Sequence, residues 1–252
     1  MTWSIVARDP QTGHLGIAVA SRFFAAGAMV SYIRGDVGAV ATQAVVNPTW
    51  GTDGLQLLSE KLAPAEIVSR LRARDDGSEQ RQLHLIDAAG RNAAFTGTKC
   101  IDWAGHLLDD NVSVAGNMLA GPQVLAATLA AYTTRADLSF ADRLLAAMDA
   151  GEAAGGDKRG RQAAALKIYR DQDYPWLDIR VDDHAEPLVE LRRLLTVAHE
   201  RFLYVAETMP TRQNPHGMLD RREIDARIAA LEAARIADGR QSASHASPPI
   251  SN

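Results

Sequence analysis

The chain contains one cysteine, Cys100, among its 252 residues. A single thiol cannot form a disulfide within the chain, which excludes the disulfide-stabilised class of secreted domains and fits a reducing compartment. The seven histidines show no HExxH or similar spacing, and no zinc pattern surrounds the cysteine. We therefore expect no metal and no other cofactor, and the sequence does not indicate thiol catalysis.

Long apolar runs and an excess of positive charge are also missing. The first twenty residues include Arg8, Asp9 and His14 and contain no sustained apolar segment, so neither a secretory signal nor a membrane span is predicted. The net charge of -4 provides no broad basic surface for nucleic-acid phosphates. These absences predict a soluble, cytoplasmic protein that binds neither nucleic acid nor membranes.

What the sequence does contain is the composition of a globular protein. Hydrophobic residues make up 46% of the chain and charged residues 23%, which fits one domain with an extension. Proline and glycine residues interrupt the pattern after the last amphipathic helix, which predicts a domain over 1–208 and an extension over 209–252. The extension is predicted to hold one charged helix at 221–236 and a disordered tail from residue 242.

The hydrophobic pattern predicts consecutive antiparallel strands. Residues 2–9 and 15–22 form a β-hairpin across the turn at 10–13. Further strands are predicted at 37–42, 82–87, 92–97, 112–115, 163–170 and 176–181. Helices are predicted at 55–61, 64–74, 122–133, 140–150 and 187–207. This order favours an α+β fold with mainly antiparallel sheets over a Rossmann topology.

Thr2 is the most informative residue of the hairpin. It follows Met1, and its side chain is small enough for an aminopeptidase to remove that methionine. The residue then carries a hydroxyl nucleophile and a free α-amine, whose pKa of about 7.7–8.0 suits it to act as the base. The sequence thus predicts an N-terminal nucleophile that exists only after Met1 is removed. A small residue at position 2 without a catalytic role is the alternative.

The hairpin places two further side chains beside Thr2. If Asp9 pairs with His14 across the turn, partner residues have numbers that sum to 23, and Thr2 lies opposite Ser21 with Arg22 one step beyond. A cation at Arg22 would lower the pKa of the α-amine and keep it neutral, and Ser21 becomes a candidate for substrate binding. The alternative for Arg22 is a surface salt bridge at a strand end.

Polar turns supply the remaining candidates. Asn117 ends a predicted strand at a glycine-flanked corner, where its amide N–H can stabilise an oxyanion; an ordinary left-handed turn is the alternative. The glycine-rich loop 155–162 contains Asp157 and Arg159, which are suited to orient the α-amine or hold a substrate carboxylate. A loop that only connects a helix to a strand is the alternative there. The turn-rich segment that begins at Asn47 is a candidate pocket wall.

One cluster resembles a site for a hard metal ion. Asp178 and Asp182 fall on the same face of a predicted strand, and Asp183 and His184 follow in the next turn. Further spaced ligands are missing, so capping and salt bridges are the favoured explanation. A metal-dependent hydrolase at these residues is a third functional hypothesis.

Six motifs occur in an order that is specific when taken together. They are Thr2–Asp9, Gly16–Phe24, Ala41–Ala44, Cys100–Gly105, Ala115–Asn117 and Gly155–Gly160. Together they resemble the domain-of-unknown-function family 1028 (DUF1028) from residue 2 to residue 195. Gln43, in the third motif, is added as a candidate substrate-binding residue.

The resemblance implies a place among the N-terminal nucleophile (Ntn) hydrolases, and with it a four-layer αββα sandwich whose nucleophile begins a central strand. In that superfamily a Thr, Ser or Cys attacks an amide carbonyl and its own amine serves as the base. Thr2 matches the nucleophile, Arg22 is similar to the basic residue kept beside it, and Asn117 resembles the oxyanion asparagine. Asp157 completes the predicted catalytic set.

The function predicted from this reading is an amidohydrolase that cuts a small linear amide, an N-acyl amino compound or a short peptide-like substrate through Thr2. The alternative is a ligand-binding or assembly protein that uses the same fold without catalysis. The extra helix of the extension is a candidate for homodimer formation.

Overall fold

The predicted hairpin lies at the centre of the main sheet. In the computed structural model, which describes residues 2–246, β1 (Thr2–Arg8) and β2 (Leu15–Ser21) pair antiparallel. Trp3 pairs with Ala20, so the numbers of partner residues sum to 23, as predicted. Both strands are almost entirely buried, because each of their faces packs against another layer.

The other elements follow in chain order. The remaining strands are β3 (Ser31–Arg34), β4 (Gly38–Ala44), β5 (Arg81–Asp87), β6 (Asn92–Thr96), β7 (Gly105–Asp109), β8 (Val112–Asn117), β9 (Ala163–Tyr169) and β10 (Leu177–Val181). The helices are α1 (Ala26–Val30), α2 (Pro48–Ser59), α3 (Pro64–Ala73), α4 (Gln123–Thr134), α5 (Phe140–Ala153), α6 (Pro187–Val197), α7 (Leu203–Thr208) and α8 (Arg221–Ala237). A short 3-10 turn, Ser78–Gln80, precedes β5, and a π-helical turn, Ala198–Phe202, joins α6 to α7.

The strands form two antiparallel sheets that face each other. The first sheet has six strands in the order β10-β9-β2-β1-β8-β7, and the second has four in the order β3-β4-β5-β6. Helices α4 and α5 pack on the first sheet, and α2 and α3 pack on the second. The result is the α+β fold that the sequence pattern predicted, arranged as the four-layer αββα sandwich that the family resemblance implied.

Alternation along β5 shows how the second sheet separates two apolar regions. Leu83 and Leu85 pack with α2 and α3, whereas Ile86 faces the first sheet. Ile86 thereby joins a cluster of buried apolar residues between the two sheets, which we call the apolar core. Its members include Val6, Leu15, Ile17, Val19, Val30, Ile33, Ala39, Ala41, Ile86 and Ala165.

Helix α2 begins earlier than the predicted 55–61. Asn47 accepts a hydrogen bond from the Thr49 backbone N–H and caps the helix, and Pro48 occupies its first turn. Gly51 lies so close to β3 that a Cβ there would be 2.3 Å from the Tyr32 ring. The glycine therefore serves close packing rather than a turn.

Three short elements were not predicted, namely α1, β3 and β7. Helix α1 has five residues and β3 has four, which is too short for a periodic pattern. Strand β7 is a partly exposed edge strand that includes adjacent Leu107 and Leu108, so it lacks the alternation of a half-buried strand. The predicted helix at 187–207 is present with a π-helical turn inside it.

The chain divides into two compact units, residues 1–191 and 192–252. The predicted domain end at residue 208 lies within the second unit. That unit contains the predicted charged helix, α8, whose N-terminus is capped by the Asp220 carboxylate. Residues 247–252, the end of the predicted disordered tail, lie outside the described residues. Among the described residues, no helix combines the length and the apolar character needed to cross a bilayer.

Candidate active site

Thr2 begins β1, which lies between β2 and β8 inside the six-stranded sheet. Its Oγ1 lies 3.1 Å from the Oγ of Ser21, and Asn117 is its register partner on the other side. The Thr2 carbonyl accepts hydrogen bonds from Nδ2 of Asn117 and Nε2 of Gln43, each at 3.4 Å. The structure thus brings together four residues that the sequence proposed for one site.

The Thr2 side chain faces the second sheet. Residues two apart on a strand share a face, and Ser4 on this face contacts Gln43 of β4 and His84 of β5. Thr2 is 6% exposed, so its hydroxyl lies at the end of the space between the sheets rather than on the outer surface.

Gln82 of β5 lies at the centre of the hydrogen bonds around Thr2. Its Oε1 accepts from Nε2 of Gln43 at 2.7 Å and from Nδ2 of Asn117 at 3.1 Å. Its own Nε2 has three acceptors, Oγ1 of Thr96 at 2.8 Å and the carbonyls of Gly105 and Gly116 at 2.9 Å. Gln82 therefore links the two sheets in a region that water does not reach.

A second branch of hydrogen bonds runs through His84, which is completely buried. Ser4 donates its only hydroxyl hydrogen to Oε1 of Gln43 at 2.7 Å, so Nε2 of His84 must donate to Ser4 at 2.8 Å. Burial, followed by the nearby His106, lowers the pKa of His84 to about 3, and a neutral ring then accepts at Nδ1 from Ser113 at 2.9 Å. The tautomer of His84 is fixed by its neighbours.

These side chains form one connected set, which we call the polar network. Beyond Gln82, Oγ1 of Thr96 lies 2.9 Å from Nδ1 of His106, whose pKa is lowered by burial. The members of the network are Ser4, Gln43, Gln82, His84, Thr96, His106, Ser113 and Asn117, together with the Thr2 carbonyl. Buried polar groups are costly unless each finds a partner, and no fully buried side-chain nitrogen or oxygen of these eight residues lacks one.

The glycine-rich loop meets the same end of the sheet. Asp157 is buried, and its carboxylate accepts from the backbone N–H groups of Arg22 and Arg159, both at 2.8 Å. The Leu119 region after β8 bridges to Asp157, and Lys158 donates to the carbonyl of Asp102 at 2.7 Å. The glycine-rich loop therefore lies beside the strand ends at Ser21, Asn117 and Thr2.

Arg22 and Arg159 each donate a side-chain hydrogen bond to the backbone carbonyl of the other. Nη1 of Arg22 donates to the Arg159 carbonyl at 2.5 Å, and Nη2 of Arg159 donates to the Arg22 carbonyl at 3.1 Å. Arg159 also forms an ion pair with Asp157 at 3.3 Å. Arg22 is exposed, and its influence on the pKa of a Thr2 amine remains a prediction.

Two sets of predicted residues lie apart from Thr2. Asn47 caps α2 and its amide donates to Asp75 at 2.8 Å, which accounts for its side chain without a ligand. The carboxylates of the candidate metal cluster have other partners: Asp178 pairs with Lys167, Asp182 with Arg180, and Asp183 accepts from Gln162. Within residues 2–246, no group of three or more His, Cys, Asp or Glu side chains is placed to hold a metal ion.

Sequence reasoning proposed Gln43 of the second sheet but missed Gln82 and His84 on β5 and the residue Ser4, which bonds both Gln43 and His84. The signal was available in β5, where Gln82 and His84 share one face of a strand whose other face carries Leu83 and Leu85. Polar residues on one face of an otherwise apolar strand indicate an exposed face, and only the opposing sheet shows that this face is buried.

The comparisons with known proteins identify the family of the chain. The model of the family of unknown function DUF1028 matches residues 2–191. The crystal structure of protein SPO2555 from Silicibacter pomeroyi, labelled with the same family, is 33% identical, covers 87% of this chain and 96% of its own, and superposes with a TM-score of 0.81. Anbu (ancestral beta-subunit) from Yersinia bercovieri is 14% identical to this chain, with a TM-score of 0.36. The alignment covers 83% of this chain and 98% of the Anbu chain. No curated protein matches the chain.

Proposed function

The chain belongs to the DUF1028 family, and from that premise we propose that it is an amidohydrolase whose nucleophile is the Thr2 hydroxyl. The substrate class is a small linear amide, an N-acyl amino compound or a short peptide-like molecule. The proposal is of a reaction type, because a fold by itself does not specify a substrate.

One observation carries this proposal. The carbonyl of Thr2 is held by side-chain amides from two different sheets, while its hydroxyl lies 3.1 Å from another hydroxyl, that of Ser21. The backbone of Thr2 is therefore fixed and its oxygen nucleophile is not consumed by the polar network. Two side-chain amides on one buried carbonyl support a fixed position for the residue that carries the hydroxyl.

The chemistry requires that the peptide bond before Thr2 be cut, which frees the α-amine. That amine, with a pKa of about 7.7–8.0, accepts the hydroxyl proton while Oγ1 attacks the substrate carbonyl carbon. Collapse of the tetrahedral intermediate breaks the C–N bond, and the α-ammonium returns the proton to the departing nitrogen. Water, deprotonated by the same amine, then attacks the Thr2 ester, which releases the acid and restores the hydroxyl.

The neighbouring residues support this reaction in different ways. Ser21 lies within hydrogen-bond distance of the nucleophile, and Asp157 holds the loop that backs it. Asn117 has acceptors for its amide at Thr2 and Gln82, so we assign it to positioning Thr2. Its predicted oxyanion role would require the bond to the Thr2 carbonyl to be exchanged for one to the substrate.

The test combines a measurement of cleavage before Thr2 with substitution of Thr2. Intact mass of the native protein is expected to show Thr2 as the first residue, and an electrophile that acylates hydroxyls is expected to label Thr2 in peptide mapping. Thr2→Ala is expected to lose labelling and turnover of an amide panel by at least about 10³-fold, and Thr2→Ser to retain part of both.

The matched control is Thr52→Ala, an exposed threonine on α2 that should leave labelling and turnover unchanged. A native protein that keeps a residue before Thr2, or undiminished turnover in Thr2→Ala, would refute the proposal.

A second candidate is a ligand-binding or assembly protein without catalysis. Two observations favour it: Thr2 is largely buried, and the Arg22 guanidinium bonds the loop carbonyl of Arg159 instead of Thr2. For this candidate, ligand binding measured by calorimetry would be unchanged in Thr2→Ala and no acyl adduct would form. The same variant therefore discriminates the two functions.

A further inference from the structure

We propose that Gln82 is the positioning residue of the Thr2 site: it orients the two amides that hold Thr2. The claim that Gln82 orients these amides concerns hydrogen bonds alone. The claim that this orientation affects catalysis rests on the proposed function. Gln82 lies on β5 in the second sheet, whereas Thr2 begins β1 in the first, so the influence crosses the space between the sheets.

The orientation of the Gln82 amide is determined by counting donors and acceptors. Its Oε1 meets Nε2 of Gln43 and Nδ2 of Asn117, which are both donors. Its Nε2 meets the carbonyls of Gly105 and Gly116, which can only accept. Rotating the amide by half a turn would oppose donor to donor and acceptor to acceptor, so a single orientation is allowed.

This orientation also determines what Gln43 and Asn117 do. Each of the two amide nitrogens has two hydrogens, and each gives one to Oε1 of Gln82 and one to the Thr2 carbonyl. The Thr2 carbonyl is thus held from two sides by groups that share one acceptor. Without Oε1 of Gln82, each amide nitrogen loses the shorter of its two bonds and keeps the 3.4 Å bond to the Thr2 carbonyl, while Oε1 of Gln43 still accepts from Ser4.

A purely structural link between the sheets is the competing explanation. A buried cluster of amides contributes little net stability over apolar residues of the same shape, because folding exchanges bonds with water for bonds within the protein. The apolar core beside the network shows that these same strands can pack without polar groups. The convergence of two Gln82-bound amides on one backbone atom, at the predicted nucleophile, points to positioning.

The first measurement uses the wild-type protein labelled with ¹⁵N. The side-chain amide protons of Gln43 and Asn117 are expected to exchange with deuterium at least about 100-fold more slowly than those of exposed Gln56, because they are buried and bonded. Rapid exchange of these two amides would overturn the proposal without any mutation.

The second measurement compares Gln82→Leu with the control Ser113→Ala. Ser113 is equally buried and belongs to the polar network, but it bonds His84 and touches neither amide. Gln82→Leu is expected to speed exchange of the Gln43 and Asn117 amides at least about 10-fold, and Ser113→Ala to leave both protected. Equal protection in folded Gln82→Leu would overturn the proposal.

Kinetics separate this proposal from the proposed function. If the wild type is active, Gln82→Leu is expected to lower kcat about 10- to 100-fold with KM little changed, because substrate still binds but Thr2 is misplaced. Unchanged kcat in folded Gln82→Leu would overturn positioning and leave the Thr2 mechanism intact. Loss of amide protection in a protein with no amidase activity would refute the Thr2 mechanism and retain the hydrogen-bond role of Gln82.

Discussion

The space between the two sheets contains an apolar core and a polar network, and three strands, β1, β4 and β5, contribute to both. β1 contributes Ser4 to the network and Val6 to the core, and β5 contributes His84 and then Ile86. In each strand the two residues lie on the same face, one step of the pleat apart. The change from polar to apolar therefore reflects position along the strand, not a change of face.

The difference between the two regions shows which part of the interior serves folding. Burying apolar side chains stabilises the folded chain directly, at about 25 cal/mol per Å². A buried amide or imidazole stabilises it little even when all its bonds are made, and destabilises it when one is missing. The apolar core accounts for cohesion of the sheets, and we propose that the polar network serves to position Thr2.

The largest effect on folding is expected in the apolar core. Ile17→Ala should lower the free energy of unfolding by about 2–5 kcal/mol, because Ile17 is fully buried and its truncation leaves a cavity. Urea unfolding followed by tryptophan fluorescence measures this in the first unit, where Trp3, Trp50, Trp103 and Trp176 all lie. Ile101→Ala, at an exposed isoleucine, is the control. A loss below about 1 kcal/mol would show that the core relaxes around the cavity.

The next effect is a pH dependence from the polar network. Burial lowers the pKa of His84 from 6.5 to about 3, so between these values the unfolded chain binds a proton that the folded chain does not. Stability is fully present above pH 6.5 and is lost as pH falls, by about 2 kcal/mol between pH 6.5 and 5. Burial lowers the pKa of His106 too, which acts in the same direction.

Denaturant unfolding at pH 7, 6 and 5 measures this slope. The variant His84→Gln cannot bind the proton, so its stability should vary less over the same range. An equal slope in the variant would assign the pH dependence to other groups.

A smaller effect is expected when one hydrogen bond of the network is removed. Ser113→Ala should lower the free energy of unfolding by about 1–2 kcal/mol, because Nδ1 of His84 is left buried without its donor. The measurement is the same urea titration at pH 7. A stabilised Ser113→Ala would contradict the claim that the network must be complete.

The smallest effect on stability is expected at Thr2 itself. Thr2→Val keeps the shape of the side chain and removes only the hydroxyl bonded to Ser21, so unfolding should change by about 1 kcal/mol or less. Turnover by the same variant should be lost, if Thr2 is the nucleophile. A large loss of stability with retained turnover would reverse the assignment and make Thr2 a structural residue.

Local patterns predicted most of the strands and helices of the first unit. The hairpin register follows from the Asp9 to His14 turn alone. The short elements α1 and β3 carry too few residues for a periodic signal. Asn47 caps α2, which the sequence did not predict, because a helix cap and a ligand-binding turn use the same polar residues; its place in a pocket wall stays a prediction.

The residues alone predicted Thr2 as the candidate nucleophile, Ser21 as its hairpin partner and an α+β fold with mainly antiparallel sheets, because strand register and alternation are local properties of a chain. The four-layer αββα arrangement was implied by the family resemblance. Tertiary structure alone decided that Gln82, His84 and Ser4 belong with Thr2, since their partners lie on strands far apart in sequence. A polar residue on a strand has the same local pattern whether it faces water or another sheet. Only the packing of the second sheet over the first makes those side chains find each other.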